Sequence, residues 1–342
     1  MLSVREEVIL NSIIHQYVSK AAPVSSASII EDCGLDVCSA TVRNDVVQLE
    51  QRGYIIRPHH AAGSVPSDRA YRYYVESLES LELPMAERFL ISHLFHQVEQ
   101  EMDEWLRLTA SLISRRLHNV AVISAPRATA CKLHRLEIVA IKDTLALAVI
   151  ILRGAKVKQQ LVTFDKAIPQ AELTTISNKL SQSYEGMTRR GIRRKKQELS
   201  AEEKKIMDCA TKVMEAEDEK EQGDAYLEGL HFLLEQPEFI HGEKTQRLME
   251  LVEQKRLGKA ISSVEITEEG AQVLIGSENQ DEAIKNYSVV VSRYGLADEA
   301  VGTIGVIGPT RMNYPQAIAA INYLSLVMSR LVSELYGVKE TS

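Results

Sequence analysis

The apolar residues of this 342-residue chain change period near residue 120, and that change restricts the fold more than any other feature. Up to Leu117 they recur every three or four positions, as on helices with one buried face. From Val120 they gather in short β-branched runs, AVISAP, HRLEIVAI, TLALAVIIL and KVKQQLVTF, separated by polar or glycine turns, and these read as strands. A helical pattern at Gln170 to Tyr184 follows, and then a highly charged block containing RRGIRRKKQELSAEEKK and EAEDEKEQGD. Strand-like SSVEIT, AQVLIGS, YSVVVSRY and AVGTIGVIG come next, and a helix from Pro315 to Tyr336 closes the pattern. The spacing predicts an α+β domain whose sheet is split in sequence, 119–186 and 241–342, by an insertion at 187–240. The length, beyond the ~100–200 residues usual for one domain, agrees with a multidomain chain.

Before residue 120 the punctuation is local. Val8, Ile9, Ile13, Ile14 and Tyr17 make a first helix to Lys20, which Pro23 breaks. Ser25 caps a second through Ile29 and Ile30, and Gly34 closes it. Ser39 caps a third, with Val42, Val46 and Leu49 as its buried stripe, and Gly53 ends it. Tyr54-Ile55-Ile56, a loop holding Pro58, Gly63 and Pro66, and the run Tyr71 to Tyr74 follow. Three helices and a β ribbon predict an N-terminal winged helix-turn-helix at 1–75. Residues 76–118 read as a helical connector, broken at Leu83-Pro84, with Trp105 on an apolar face.

In a helix-turn-helix the second helix of the pair enters the major groove. With Val42, Val46 and Leu49 turned inward, Thr41, Arg43, Asn44, Val47 and Gln48 face outward. Arginine pairs bidentately with guanine, Asn or Gln with adenine, and an aliphatic group touches a thymine methyl. Ser39 and Thr41 suit phosphates at the helix start. In the ribbon, Arg57, His59, His60 and Arg69 are further candidate contacts. An ordinary solvated helix accounts for the same residues, and residues 39–72 hold five arginines against three carboxylates, a weak patch. Asp45 opposes DNA unless a cation faces it. Tyr71, Tyr73 and Tyr74 read as packing that docks onto the connector, and RRGIRRKK as a surface neutralised by the acidic run at Glu215 to Glu221. GTIGVIGPTR is neither a dinucleotide fingerprint nor a phosphate loop; its glycines read as close strand-to-helix packing.

The net charge of −7 disfavours a protein that coats nucleic acid, so any DNA contact is local. Cys33, Cys38, Cys131 and Cys209 form no CxxC and lie near no histidine at zinc spacing, so they read as free thiols, with no metal site and no cofactor. No nucleophile elbow or HExxH is present, which disfavours an enzyme. The start MLSVREEVILNSII lacks the uninterrupted apolar core of a secretory signal, and no window approaches the ~18 apolar residues that cross a bilayer. A cytoplasmic protein with no membrane partner is expected.

The strings SATVRNDVVQLEQRGYI, GSVPSDRAYRYYV, LEGLHFLLEQPEF, IGSEN and GTIGVIGPTRMNYPQAI closely resemble the heat-inducible transcription repressors of the HrcA type, in that family's order along nearly the whole chain. The resemblance implies a winged helix, a GAF-like α+β domain and an inserted dimerisation domain. It also implies a homodimer that represses chaperone operons at an inverted-repeat operator, the CIRCE element, relieved by heat and maintained by the GroE chaperonin. The family's reading helix falls on Ser39 to Gln51 and its wing on Pro58 to Ser67. Where the family has an arginine in the wing this chain has Ser64, which puts one DNA contact in doubt; Ala70 replaces a glycine, and Asn313 an aspartate. Rival readings are a metabolite-responsive regulator with an effector in the GAF-like domain, and a nucleotide-handling enzyme using residues 302–308.

Overall fold

The structure, a computed structural model, describes residues 2–33, 39–58, 63–79, 81–98, 101–127, 131–153, 156–195, 197–218, 225–239, 245, 249–252, 257–258, 261, 264, 266, 270–296 and 300–336. It is a mixed α/β chain of two compact units. One comprises Met1–Ala125, Asp224–Tyr294 and Gly302–Val327, the other Pro126–Gly223, Gly295–Val301 and Met328–Ser342. The expected helix end at Gly34, and Cys38, lie outside the described residues.

The first unit opens with α1 (Val4–Lys20), α2 (Ser26–Cys33) and α3 (Ser39–Gln51). A reciprocal capping box between Ser3 and Glu6 starts α1 by satisfying two orphan amides, and left-handed Ala21, φ 50°, ends it. Its buried face is Ile9, Leu10, Ile13 and Ile14, whereas Val8 is 38% exposed. Ser25 caps α2, its Oγ accepting from the Ser28 amide at 3.2 Å. Val42, Val46 and Leu49 of α3 are at most 1% exposed. Burying each such aliphatic contributes ~1.5–3 kcal/mol. Ser39 is already helical, so the cap position before it falls outside the described residues. Gly53, φ +74°, turns the chain into β1 (Ile55–Ile56), which pairs antiparallel with β2 (Val65–Pro66). A single bridge joins Val24 to Ser64 beside this ribbon. Gly63 is required there because a Cβ would lie 2.5 Å from the Val24 carbonyl oxygen.

Ser67 caps α4 (Asp68–Glu76), and α5 (Met85–Gln97) and α6 (Met102–Leu117) follow the break at Pro84, with Trp105 4% exposed. Strands β3 (Val120–Ile123), β7 (Tyr226–Glu228), β8 (Gln272–Ile275), β9 (Tyr287–Leu296) and β10 (Ala300–Pro309) make a five-stranded sheet in the order β7-β3-β10-β9-β8. Val120, Val122, Val289, Val291 and Ile307 pack there with Phe239, Ile261 and Leu233, the last from the short helix α10 (Leu230–Leu234). The glycines of GTIGVIG sit inside β10, so they form no loop. A Cβ on Gly302 would strike the Tyr294 ring, on Gly305 the β9 backbone at Val290, and on Gly308 the Asn119 side chain. The close approach is to a ring, an amide and a neighbouring strand, and at Gly305 also to the side chain of helical Ile261, at 3.3 Å.

The second unit holds β4 (Leu133–Lys142), β5 (Leu145–Leu152) and β6 (Lys156–Thr163), an antiparallel sheet of order β4-β5-β6. The sequence predicts one sheet drawn from both blocks, 119–186 and 241–342; β3 does join β8, β9 and β10, whereas β4, β5 and β6 form a sheet of their own. Strand periodicity identifies strands but carries no information on which strand a given edge meets. One face of the sheet, Leu136, Ile138, Ala146, Ala148, Ile150 and Val162, packs on α7 (Gln170–Tyr184) and α9 (Ala201–Asp218) through Leu173, Leu180, Ile206 and Met214. Between them α8 (Arg189–Arg194) carries the basic cluster, whose Arg189 and Arg193 both pair with Glu215, in keeping with the expected neutralisation.

The last helix, α11 (Tyr314–Leu335), corrects one reading. Its length of 22 residues and mean hydropathy of 1.3 meet the bilayer-crossing criterion that no window was expected to approach, yet 44% of the most apolar window is buried inside the protein. Ala317, Ala320, Ile321, Leu324, Met328 and Val332 are buried, so a core helix accounts for its apolarity.

Candidate nucleic-acid interface

The outward face of α3 is built by subtraction. Helix periodicity buries Val42, Asp45, Val46 and Leu49 against α1 and α2, and leaves Ser39, Arg43, Asn44, Val47 and Gln48 exposed and Thr41 half-buried. Among the described residues Arg43, Asn44 and Gln48 engage no side-chain partner, so their donors and acceptors stand free on one face.

Asp45, the residue that opposed this reading, is turned inward at 8% exposure. The Arg5 guanidinium grips its carboxylate with Nε at 2.6 Å and a terminal nitrogen at 3.1 Å. That hydrogen bond, with the attraction of the carboxylate, raises the Arg5 pKa above its ordinary value. Asp45 therefore adds no negative charge to the outward face, and the other carboxylate of α3, the half-exposed Glu50, pairs with Arg57. Sequence reading missed Arg5 because its partner lies 40 residues away.

The remaining arginines divide into paired and unpaired. Arg52 meets Glu6 at 3.4 Å, Arg57 meets Glu50 at 3.5 Å, and Arg72 forms an ion pair with Glu278. Arg69 is exposed, donates to the Arg52 carbonyl at 2.8 Å and lies over the Tyr54 ring at 4.7 Å. Arg43 and Arg69 are thus the arginines of residues 39–72 that face no carboxylate among the described residues.

The ribbon holds the other candidates unequally. His59 and His60 lie outside the described residues. Ser64 is 2% exposed, and its backbone exchanges hydrogen bonds of 2.9 and 2.7 Å with Val24. It corrects the expectation of a surface contact at that position: the side chain is enclosed, so it offers nothing to a partner. The tyrosines pack as expected, and their ring contacts lie with other elements. Tyr74 meets His15 of α1 edge-on, Tyr73 meets Tyr54, and Tyr71 tilts against Tyr314 at 5.7 Å. A bond to Glu7 and partial burial push the Tyr73 hydroxyl up to about 12.

Chemically, then, the face offers one fork-shaped cation, two amides, a hydroxyl pair at the helix start and an aliphatic group. That set suits base edges and phosphates, and it holds no nucleophile beside a base. Among the described residues no three His, Cys, Asp or Glu side chains converge as for a metal ion.

Comparison with known proteins agrees with the resemblance noted in the sequence. Residues 103–318 match the family described as HrcA protein C terminal domain. A heat-inducible transcription repressor HrcA of Dehalococcoides mccartyi is 56% identical over 98% of this chain and 98% of its own. One of Roseiflexus castenholzii is 37% identical over 99% and 96%. A crystal structure described only as that of a hypothetical protein covers 98% of this chain and 100% of its own with a TM-score of 0.64 at 20% identity, a likeness of fold.

Proposed function

The chain belongs to the HrcA family of heat-inducible transcription repressors, and from that premise we propose that it acts in the cytoplasm as a homodimer holding an inverted-repeat operator of the CIRCE kind. The observation that carries this reading is the exposed, uncommitted set Arg43, Asn44, Val47 and Gln48 on a helix whose one carboxylate of that stretch, Asp45, is neutralised from behind. Residues 1–75 act as a winged helix: α3 enters the major groove, Ser39 and Thr41 take phosphates, and Arg57, Arg69, His59 and His60 flank the groove. The five-stranded sheet and its helices serve as the GAF-like domain.

The dimerisation module is best assigned to the second unit. Register puts Leu147 beside Val139 and Leu161, and Ile151 beside Val157, on the sheet face opposite its helices. Val139, Val157 and Leu161 are 49%, 53% and 55% exposed. Such an aliphatic surface favours a covering partner, and two-fold pairing of identical chains supplies one. Heat lowers the population of binding-competent dimer, and a chaperonin of the GroE type restores it.

Fluorescence anisotropy with an inverted-repeat duplex, a single half-site and a scrambled duplex tests the reading. The repeat should bind at least roughly a thousandfold more tightly than the scrambled duplex; equal affinities would sink it. A heat step followed by recovery with and without chaperonin tests the modulation, and equal recovery would remove the chaperonin from it. A cleft of about 600 Å³ beside α4 and β8, lined by Arg72, Glu76, Gln272, Glu278 and Asn322 among others, favours the effector-regulated reading as second choice. A small molecule that shifts operator affinity would support that alternative.

A further inference from the structure

Three strings that the DNA-reading face does not use, LEQPEF, IGSEN and GPTRMNYP, converge on the N-terminal helices. Asp68, at the start of α4, accepts from the Ser277 amide at 3.0 Å and from its hydroxyl at 3.1 Å. Gly276, φ +51°, sits so close to that carboxylate that no Cβ fits between them. One turn further along α4, Arg72 forks onto Glu278, with Nε at 2.8 Å, and donates to the Val273 carbonyl at 2.7 Å. Asn279 braces this turn from inside, its amide donating to the carbonyls of Gly276 at 2.9 Å and Tyr287 at 2.8 Å. Between the polar contacts Tyr71, 1% exposed, packs on Tyr314, whose hydroxyl bonds Ser288 at 2.7 Å. At the other end of the N-terminal region, Arg311 pairs with Glu238, bonds Gln236 at 3.1 Å, and donates to the Val18 carbonyl at 3.2 Å, in the last turn of α1.

These contacts grip the N-terminal region at two separate places, the end of α1 and the face of α4, with a buried aromatic pair alongside. Charge-assisted forks hold direction as well as distance, and Arg311 also meets the negative end of the α1 dipole. A region tethered only through residues 76–84 would swivel; one gripped at two places does not. We propose that Asp68, Arg72 and Arg311, with Ser277, Glu278 and Glu238, form a rigid joint that fixes the orientation of α3 on the core, and thereby sets the half-site spacing that the dimer accepts. They are positioning residues and touch no DNA. The inference rests on the proposed operator reading for its consequence, but the joint itself exists without DNA.

The spacing follows from geometry. Half-sites meet a dimer one helical turn or its multiples apart, so an added base pair both translates and rotates the second site, and a rigid joint cannot follow. Full-length protein and duplexes with spacers from two base pairs shorter to two longer than the best one test this. Wild type should lose roughly tenfold affinity per base pair, the scale of a mismatch. The Arg72→Ala/Arg311→Ala double variant should lose less than threefold, while its affinity for a single half-site stays as in wild type. A residue that merely stabilises the fold would lower affinity for all spacers together.

In parallel, spin labels on Gln51 and Glu282, in a background with all four cysteines replaced by serine and diluted with unlabelled chain, read the joint directly. The wild-type distance should be narrow and that of the double variant broad. Should the alanine pair fail to fold, Arg72→Lys/Arg311→Lys, which keeps charge but loses the forks, carries the same expectations. A distance that stays narrow in the folded variant overturns the joint, and a broad distance with unchanged spacer dependence overturns its positioning role. If wild type prefers no inverted repeat, the operator reading falls and the spacing role with it, while the label distances still decide the joint.

Discussion

In the proposed operator reading, Arg43 and Asn44 are the residues on which recognition of base sequence depends most. Both are exposed. Replacing either by alanine should weaken specific operator binding by about 1–3 kcal/mol while leaving scrambled-duplex binding nearly unchanged. Anisotropy titration at fixed salt measures both. Asp45 is the counterpart that does not face outward: Arg5 holds it, so one carboxylate that would repel phosphate is removed from the face. Titration at the opening of α9 gives a second test. Lys166 holds Glu202 down to about 2, with help from amide donors and Ser200, and a bond from Lys179 lowers Glu203 below the usual 4.5. Carboxyls held low in the folded state stabilise fully above pH about 4.5, and that stability is lost as pH falls toward about 2. Thermal melts between about pH 5 and about pH 2.5 should therefore steepen their decline, and Glu202→Gln with Glu203→Gln should flatten it.

At the scale of elements, β10 is a strand with little room for added side chains. Its glycines read from sequence as a close packing device, and the neighbours are Tyr294, the β9 backbone and Asn119. Tyr294 is 2% exposed and its hydroxyl bonds the Ser124 carbonyl at 2.6 Å, so it has nowhere to retreat. Gly302→Ala should cost about 1–3 kcal/mol in urea unfolding, as an overpacked core does. Gly53 lies in open space but at φ +74°. Gly53→Ala should therefore cost roughly 1–2 kcal/mol through backbone strain alone. Because the chain turns out of α3 at Gly53, the second change should also weaken operator binding, whereas the first should not. A Gly302→Ala protein that unfolds at the wild-type midpoint would contradict the packing account.

At the scale of the molecule, the proposed function requires two identical chains to present two reading helices to one duplex. The aliphatic face of the β4-β5-β6 sheet is the surface assigned to that pairing, and a charge in its middle should break it. Leu161→Glu, at a site 55% exposed and therefore tolerant of substitution in the monomer, should convert the dimer to monomer by light scattering. The same variant should lower affinity for an inverted repeat far more than for one half-site, since linked sites share a high effective concentration. A dimer that survives both Leu161→Glu and Val139→Glu would move the interface elsewhere.

What the sequence determined by itself is local. Pro23, Ser25, Gly53 and the break at Pro84 set helix ends through near neighbours, and the stripe Val42, Val46, Leu49 fixed which side of α3 faces out. The outward face of α3 was therefore legible in the sequence alone. Tertiary structure decided the rest, because it depends on which distant segments meet. Asp45 could be judged only once Arg5 was beside it, and Ser64 only once the bridge to Val24 enclosed it. Membership of β3 in the five-stranded sheet was set by its pairing with β10 and β7. Periodicity tells a residue which way to point; long-range hydrogen bonds and ion pairs decide what it points at.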